Sequence, residues 1–573
     1  MKNRTTPKNP YVATIETIKW ILQKYPKNTL IIISMSLFSF ISENIGIILL
    51  VPIIQIFFQS GITDSADSYA IEYLILSLNK FEIPVDLGYL LLLFISLIII
   101  KSLFMFTVGL YRARFKLTVM RDLRMGIYET LIDSNWNNIR VQHIGTLNNI
   151  FTTEITNAST ACVSAINLII SLTGSIVYII FIANLSPIVL ALISIFAFVA
   201  VILIKPLQKL SLTKGQERVN NLHSLSQHFN DTIRNAKTIK ATQRREITDQ
   251  QFKTLNNIFY KIGSSLSTYS VLLTNIKEPL GALFLASILY SGVVETGGDI
   301  TVLGATIILL TRLIEKLWTI PTLVQSCGSL YGAVTSVSDQ ISSNRKHHEV
   351  LREDGVKATL TQTLEVQNLS IRKGSKLILS DFSASFSYPG LHVITGPSGV
   401  GKSTLILSLL DLEIPENGKV MIDGVPLSQA NLKHWRHQVG FLPQEVTLYP
   451  RTLRENITQG IAGIPDDDIW NVLKMTNLND LVKELPGQLD FILDTEGSNL
   501  SGGQRQRIGL ARAIINSPRL LLVDEATSAL DVDTKKLIAA ELANLSQNCC
   551  IIAVSHDVEL NEVASQVIRL TEN

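Results

Sequence analysis

The sequence predicts a chain in two parts, an α-helical domain that spans a membrane six times followed by an α/β domain built around a phosphate-binding loop. Three observations carry that prediction. Long apolar runs fill the chain up to about residue 340, and a polar region follows. The segment Gly396-Pro397-Ser398-Gly399-Val400-Gly401-Lys402-Ser403 fits G-x-x-x-x-G-K-[ST] at every fixed position. Leu500-Ser501-Gly502-Gly503-Gln504 stands about a hundred positions further on.

Composition agrees with the division. A length of 573 residues alone suggests several globular domains. Hydrophobic residues make up 47 %, charged residues only 17 %, and mean hydropathy is +0.29, which points to a membrane protein. The net charge of +2 hides two unlike halves and calls for no nucleic-acid partner. Cys162, Cys327, Cys549 and Cys550 lack metal-ligand spacing and read as small buried hydrophobes in a reducing compartment.

Hydropathy gives the spans in order: roughly Asn28 to Phe58, Asp86 to Leu110, Ala165 to Ala183, Ser186 to Ile204, Tyr269 to Val294 and Ile300 to Leu323. The first apolar run is too long for a cleavable signal. Before it, Val12, Ile15, Ile18, Leu22 and Tyr25 form an apolar face with Lys19 and Lys24 elsewhere, which predicts an interfacial elbow helix or a plain cytoplasmic one. Basic residues set the orientation. Lys2, Arg4, Lys8, Lys19, Lys24 and Lys27 precede span one, and Arg112, Arg114, Lys116, Arg121, Arg124 and Arg140 follow span two. The loop between those spans holds only Lys80 against Asp64, Asp67, Glu72 and Glu82. Both termini and the polar domain are therefore expected on the cytoplasmic side of the inner membrane. The predicted boundaries are 1–27 for the arm and elbow helix, 28–345 for the transmembrane domain with long cytoplasmic extensions, 346–362 for a linker and 363–573 for the α/β domain.

The chemistry sits in that last domain. The glycines let backbone N–H groups curl around phosphates, Lys402 neutralises phosphate charge, and the Ser403 hydroxyl is suited to Mg²⁺. The run His392 to Thr395 reads as a buried strand, and a helix follows from Thr404. Leu520-Leu521-Leu522-Val523-Asp524-Glu525 is an apolar strand ending in two carboxylates. Asp524 is placed to hold the Mg²⁺ shell and Glu525 to polarise a water, the division of labour phosphoryl transfer needs.

With Leu500 to Gln504 added, the chain resembles an ATP-binding cassette (ABC) protein, and the resemblance implies ATP and Mg²⁺. Gly396, Ser398, Gly399, Gly401, Lys402, Ser403 and Thr404 then cradle the nucleotide. Gln444, in Phe441-Leu442-Pro443-Gln444, matches the Q-loop that senses Mg²⁺ and faces the membrane part. Asp531, in Ser528-Ala529-Leu530-Asp531, matches the D-loop, and His556 matches the switch histidine that reaches the γ-phosphate. Two departures stand out. Where such cassettes usually stack an aromatic residue on adenine, this chain has Arg372 and Lys373, which makes these two the expected base contacts. Where exporters often carry V-G-E-x-G, it has Leu493-Asp494-Thr495-Glu496-Gly497.

One cassette and six spans resemble an exporter-type half transporter. Gly145 to Ile150 and Asn230 to Thr242 resemble the stretches after its two coupling helices. In that family Ser501, Gly502, Gly503 and Gln504 of one chain close over the loop of another. The intact Lys402, Gln444, Ser501, Asp524, Glu525 and His556 imply that the second chain is a copy of this one. ATP closure would turn the membrane cavity outward, and hydrolysis would reset it. The arm before span one is too short for a peptidase domain.

In-span charges raise the question of cargo. Glu43, Lys101, Lys277, Glu278, Arg312, Glu315 and Lys316 either pair with one another or line a cationic cavity for an anionic substrate. The stretch Ser42 to Pro52 resembles the first span of bacterial exporters for lipid-linked saccharides, glycolipids or peptides. The expected function is ATP-driven export or flipping of such an amphipathic substrate. A regulator or channel gated by the ATPase, and a membrane-tethered ATPase, are the alternatives.

Overall fold

A long apolar run in lipid must satisfy its backbone internally, so each such run is a candidate helix. The computed structural model describes residues 10–57, 86–185, 224–243, 245–295, 300–374, 376–494, 499–525 and 532–571, with residues 191, 206, 210, 213–214, 217–218, 221–222 and 497 besides. The chain divides into two units. One takes Met1–Ile132 and Gln142–Lys346, and the other takes Asp133–Val141 and His347–Asn573.

In the first unit, Pro26–Ile54, Leu87–Ile132 and Ile144–Asn184 are long and apolar enough to cross a membrane, among the described residues. Nearly all of the predicted fourth span and all of the loop between spans one and two lie outside the described residues. The regions predicted for spans five and six are helical, within Arg245–Asn275, Lys277–Glu295 and Ile300–Lys346. Small residues set the tightest packing. Ala158, Ala161, Cys162 and Ala165 recur at helical spacing on Ile155–Leu185, and all are buried, which lets the helix Ile300–Lys346 approach closely. Ser164 bonds Ser326 at 2.9 Å and Ser171 bonds Thr319 at 3.1 Å across that seam. Gly174 is small for a similar reason, since a Cβ there would lie 2.9 Å from the Phe40 ring.

The helix Pro10–Lys24 uses two faces. Ala13, Thr14, Thr17 and Ile21 are buried, while Val12, Ile15 and Leu22 remain exposed. Of the predicted apolar face, Tyr25 turns inward, and its hydroxyl donates to Asp122 at 3.3 Å. Thr14 donates to the Val324 carbonyl at 3.4 Å, and Glu16 accepts from the Tyr331 hydroxyl, which ties this helix to Ile300–Lys346.

The second unit is built on two sheets. Strands β1 (Thr363–Lys373), β2 (Lys376–Ser387), β4 (Asn417–Ile422) and β5 (Val425–Pro426) form an antiparallel sheet in the order β2-β1-β4-β5. Strands β3 (Gly390–Thr395), β6 (Val439–Leu442), β7 (Leu520–Asp524), β8 (Cys550–Val554) and β9 (Gln566–Arg569) form a parallel sheet in the order β6-β7-β8-β3-β9. The central strands are mostly apolar because both faces are covered. Leu521, Val523, Ile551 and Ala553 pack into one core, while Leu520, Leu522, Ile552 and Val554 pack into another. The stretch read as a linker lies on this unit, with Ala358 and Leu360 buried. The segment Asp133–Val141 is held by two backbone bonds, Asn135 N–H to the His347 carbonyl at 2.7 Å and Glu349 N–H to the Asp133 carbonyl at 2.8 Å.

Candidate functional site

Parallel register determines what meets at the sheet's carboxyl edge. Leu442 stands beside Val523, Asp524 beside Val554, and Val554 beside Ile394. The residues just past those strand ends therefore emerge together, namely the glycine loop, Gln444, Glu525 and His556. Ligands of open α/β sheets bind at this edge.

The loop from Gly396 to Gly401 leads into the helix Lys402–Leu409. Gly396 (φ 149°) and Gly401 (φ 108°) need to be glycine, since a Cβ would meet the Leu570 carbonyl at 2.5 Å and the Ile378 methyl at 3.1 Å respectively. The first-turn amides of Lys402, Ser403 and Thr404 have no intrahelical acceptor, so the loop ends in a set of donors suited to an anion. The Lys402 ammonium, almost fully buried, donates to the Gly396 carbonyl at 2.7 Å and the Pro397 carbonyl at 3.1 Å. It also reaches His556 Nε2 at 3.0 Å and a Glu525 oxygen at 3.6 Å. An ammonium has no lone pair, so Nε2 accepts and His556 carries its proton on Nδ1.

The two carboxylates have different surroundings. Asp524 is buried and accepts from the Ser403 hydroxyl at 3.0 Å. Burial pushes its carboxyl above the usual range, the Ser403 bond works against that, and neighbouring Glu525 adds to it. Glu525 is less buried, accepts from the Gln444 amide at 2.8 Å, and holds a left-handed backbone (φ 49°) pinned by its N–H to the Val554 carbonyl at 3.0 Å. The hydroxyl of Ser403, the carboxylate of Asp524 and the amide oxygen of Gln444 are hard oxygen donors. Such a set fits Mg²⁺, which takes few protein ligands and fills its shell with phosphate and water.

Ser501 caps the helix Gly502–Ile514. Its hydroxyl accepts the Gln504 N–H at 3.2 Å, and the Gln504 side chain accepts the Ser501 N–H at 2.8 Å. Gly502 and Gly503 open the same turn. These bonds are internal to the turn. Asp531 lies outside the described residues. Arg372 pairs with Glu416 at 2.9 Å. Lys373 reaches Thr404 Oγ1 at 3.1 Å, at the loop end of the helix Lys402–Leu409. Sequence reasoning missed Glu413, a buried carboxylate beside Lys373; its place a few residues past that helix was the available signal.

The first unit carries its own polar cluster. Glu43, 5 % exposed, accepts from Lys101 at 2.6 Å and from the Tyr178 hydroxyl at 2.9 Å, and Arg312 lies 3.5 Å away. Arg312 also reaches Glu315 at 3.5 Å, and Lys316 stands 4.9 Å from the Phe40 ring centre. Four helices thus meet at one carboxylate. Tyr178 was not foreseen, because nothing local to it marks a charge partner.

The cassette edge and the helical unit together define a nucleotide-binding protein of the membrane. Residues 29–314 match the ABC transporter transmembrane region, and residues 379–528 match the ABC transporter domain. The chain belongs to the ABC transporter family, with the transmembrane region fused to an ATP-binding cassette. It is 26 % identical over 360 residues to a multidrug resistance ABC transporter ATP-binding and permease protein of Lactococcus lactis subsp. lactis (strain IL1403), covering 62 % of this chain and 61 % of the relative. It is 28 % identical over 371 residues to an ATP-dependent lipid A-core flippase of Desulfotalea psychrophila, covering 64 % and 63 %. The chain thus spans under two thirds of the length of these relatives. The structure of a bacterial Atm1-family ABC exporter with ATP bound superimposes with a TM-score of 0.72 at 17 % identity, covering 96 % of this chain and 94 % of that one, so the exporter-type fold is shared.

Proposed function

We propose that this chain binds and hydrolyses ATP to export or flip an amphipathic substrate across the cytoplasmic membrane, working as a homodimer with both cassettes in the cytoplasm. The observation that carries the reading is the bonded set Lys402, Ser403, Gln444, Asp524, Glu525 and His556 at one sheet edge, on a chain with a transmembrane region. Lys402 and the first-turn amides would hold the phosphates. Ser403, Asp524 and Gln444 would hold Mg²⁺, which neutralises phosphate charge when bound. The Glu525 carboxylate, steered by the Gln444 amide and its fixed backbone, is placed to orient a water and take its proton. His556, accepting on Nε2, holds the Lys402 ammonium in line. Ser501 to Gln504 and Asp531 would complete the site of a second copy.

The proposed cargo carries an anionic group. Lys101, Arg312 and Lys316 outnumber Glu43 and Glu315 in the cluster, and the Arg312 guanidinium is half-exposed. A guanidinium in low dielectric gains most from a bidentate oxyanion. Relatives named for multidrug resistance and for lipid A-core flipping fit an amphipathic cargo, with a lipid-linked saccharide, glycolipid or peptide as the favoured classes. Proteoliposomes holding the purified chain, offered labelled phospholipid, lipid-linked oligosaccharide, anionic peptide and a cationic dye, test this. ATP-dependent movement of an anionic amphiphile, with stimulated hydrolysis, is expected. Hydrolysis with nucleotide-gated current and no movement of any cargo would overturn transport in favour of a channel.

A further inference from the structure

Away from the Lys402 network, the cassette buries one carboxylate that is incompletely matched. Glu413 is 3 % exposed, and its Oε2 makes no hydrogen bond. Two cations stand near that oxygen, Lys373 at 3.3 Å and Arg140 at 3.7 Å. Lys373 ends β1, and its ammonium is shared, because it also donates to Thr404 Oγ1 at 3.1 Å. Thr404 belongs to the first turn of the helix Lys402–Leu409, where the loop amides and the helix dipole favour an anion. Arg140 ends the short helix Trp136–Arg140 in the segment Asp133–Val141, which belongs to the cassette unit although its ends continue into helices of the membrane unit. One buried carboxylate therefore lies between a cation at the phosphate end of the loop helix and a cation on that segment.

We propose that Lys373 is a phosphate ligand of the nucleotide, and that it links nucleotide occupancy to the segment Asp133–Val141 through Glu413. This rests on the nucleotide-site reading above. Two cations competing for one carboxylate repel each other, and each weakens the other's hold. A phosphate beside Thr404 draws the Lys373 ammonium toward itself. Glu413 then keeps Arg140 as its counter-ion, the repulsion between the cations falls, and the Arg140 contact tightens. The segment is held more firmly when nucleotide is bound, and the chain on either side passes the change on.

The test uses the full chain in lipid nanodiscs with ADP as the probe, because ADP carries the inner phosphates but no γ-phosphate to draw two cassettes together. Amide hydrogen exchange is read in residues 133–141. In the wild type, saturating ADP should slow exchange there several-fold, and adenosine should not. Lys373→Met should weaken ADP binding about ten-fold and abolish the response even at saturation. Lys373→Arg should restore both. Glu413→Gln and Arg140→Ala should each abolish the response while ADP affinity stays within about two-fold, Arg140→Ala serving where the buried Gln variant fails to fold. A full response in Lys373→Met, or unchanged ADP affinity, overturns the proposal. ADP binding that depends on Lys402, with no response in the segment, overturns this inference alone. Absence of any nucleotide binding overturns the nucleotide-site reading with it.

Discussion

The two charged clusters of this chain are assembled in opposite ways. At the cassette edge, Lys402, Ser403, Gln444, Asp524, Glu525 and His556 each sit within a few residues of a strand end, and parallel register brings them together. Around Glu43, the partners Lys101, Tyr178 and Arg312 come from separate helices, and only tertiary packing makes them neighbours. The cassette cluster is a chemical tool whose parts have separate tasks. The membrane cluster is a joint in which one carboxylate holds several helices. Changes in the first should cost activity before stability, and changes at the hub of the second should cost stability first.

Glu525→Gln gives the largest expected effect. Losing the carboxylate proposed to accept the water's proton should lower ATP hydrolysis by about 10²- to 10³-fold, while ATP affinity persists through the loop contacts. Phosphate release and equilibrium nucleotide binding measure the two separately, and turnover near wild type would remove Glu525 from that role. Glu43→Ala comes next. Removing the carboxylate that Lys101 and Tyr178 share should cost about 1–3 kcal/mol, read as a lower unfolding temperature of the membrane unit while the cassette still binds ATP. An unchanged melting profile would mean that the joint carries no load.

Arg312→Ala separates the two roles within the membrane cluster. Because the guanidinium is half-exposed and only loosely bonded, cargo-stimulated hydrolysis should fall by about ten-fold, well beyond any change in the basal rate. Equal loss of both would make Arg312 part of the joint. The smallest effect on stability is at Asp524. Its carboxyl is raised in the folded chain, chiefly by burial, so the folded state holds that proton more tightly than the unfolded one. Ionisation therefore costs stability, a cost that grows as pH rises through the ordinary carboxylate value and is complete above the folded pKa. Asp524→Asn should raise the cassette's unfolding temperature by about 2–4 °C at neutral pH, and the gain should vanish on acidification. A gain that persists in acid would point to packing instead.

The same contrast explains what the sequence made legible. The strands His392 to Thr395, Leu520 to Asp524 and Ile551 to Val554 stand out as apolar runs between turn signals, and they appear as β3, β7 and β8. The residues proposed to face phosphate and to catalyse could be named because each belongs to a motif that follows such a run. The third span was less readable. Hydropathy puts it at Ala165 to Ala183, but the helix runs Ile155–Leu185, since its first turns are small and polar residues that pack against protein. The cysteines read as inert and are buried with free thiols, and burial pushes Cys549 and Cys550 up to about 12. Tyr178 gave no local signal, because its partner Glu43 lies far away in sequence and only the folded chain brings them close.

The helix Pro10–Lys24 has a mechanical consequence. Outside it is greasy, through Val12, Ile15 and Leu22, and inside it is bonded through Thr14 and Glu16 to the last long helix. Trp20 beneath the Lys24 ammonium, 5.0 Å from the ring centre, adds a pair of the kind that settles at headgroup level. At the membrane interface, such a helix would work as a float lashed to a mast. It would seek one depth in the bilayer, and whatever moved that depth, a thinner leaflet or a crowded headgroup layer, would pull on the helix that ends where the cassette unit begins. Membrane thickness would thereby become an input to this protein, and its working rate should then differ between short-chain and long-chain lipids even when the cargo and the ATP are the same.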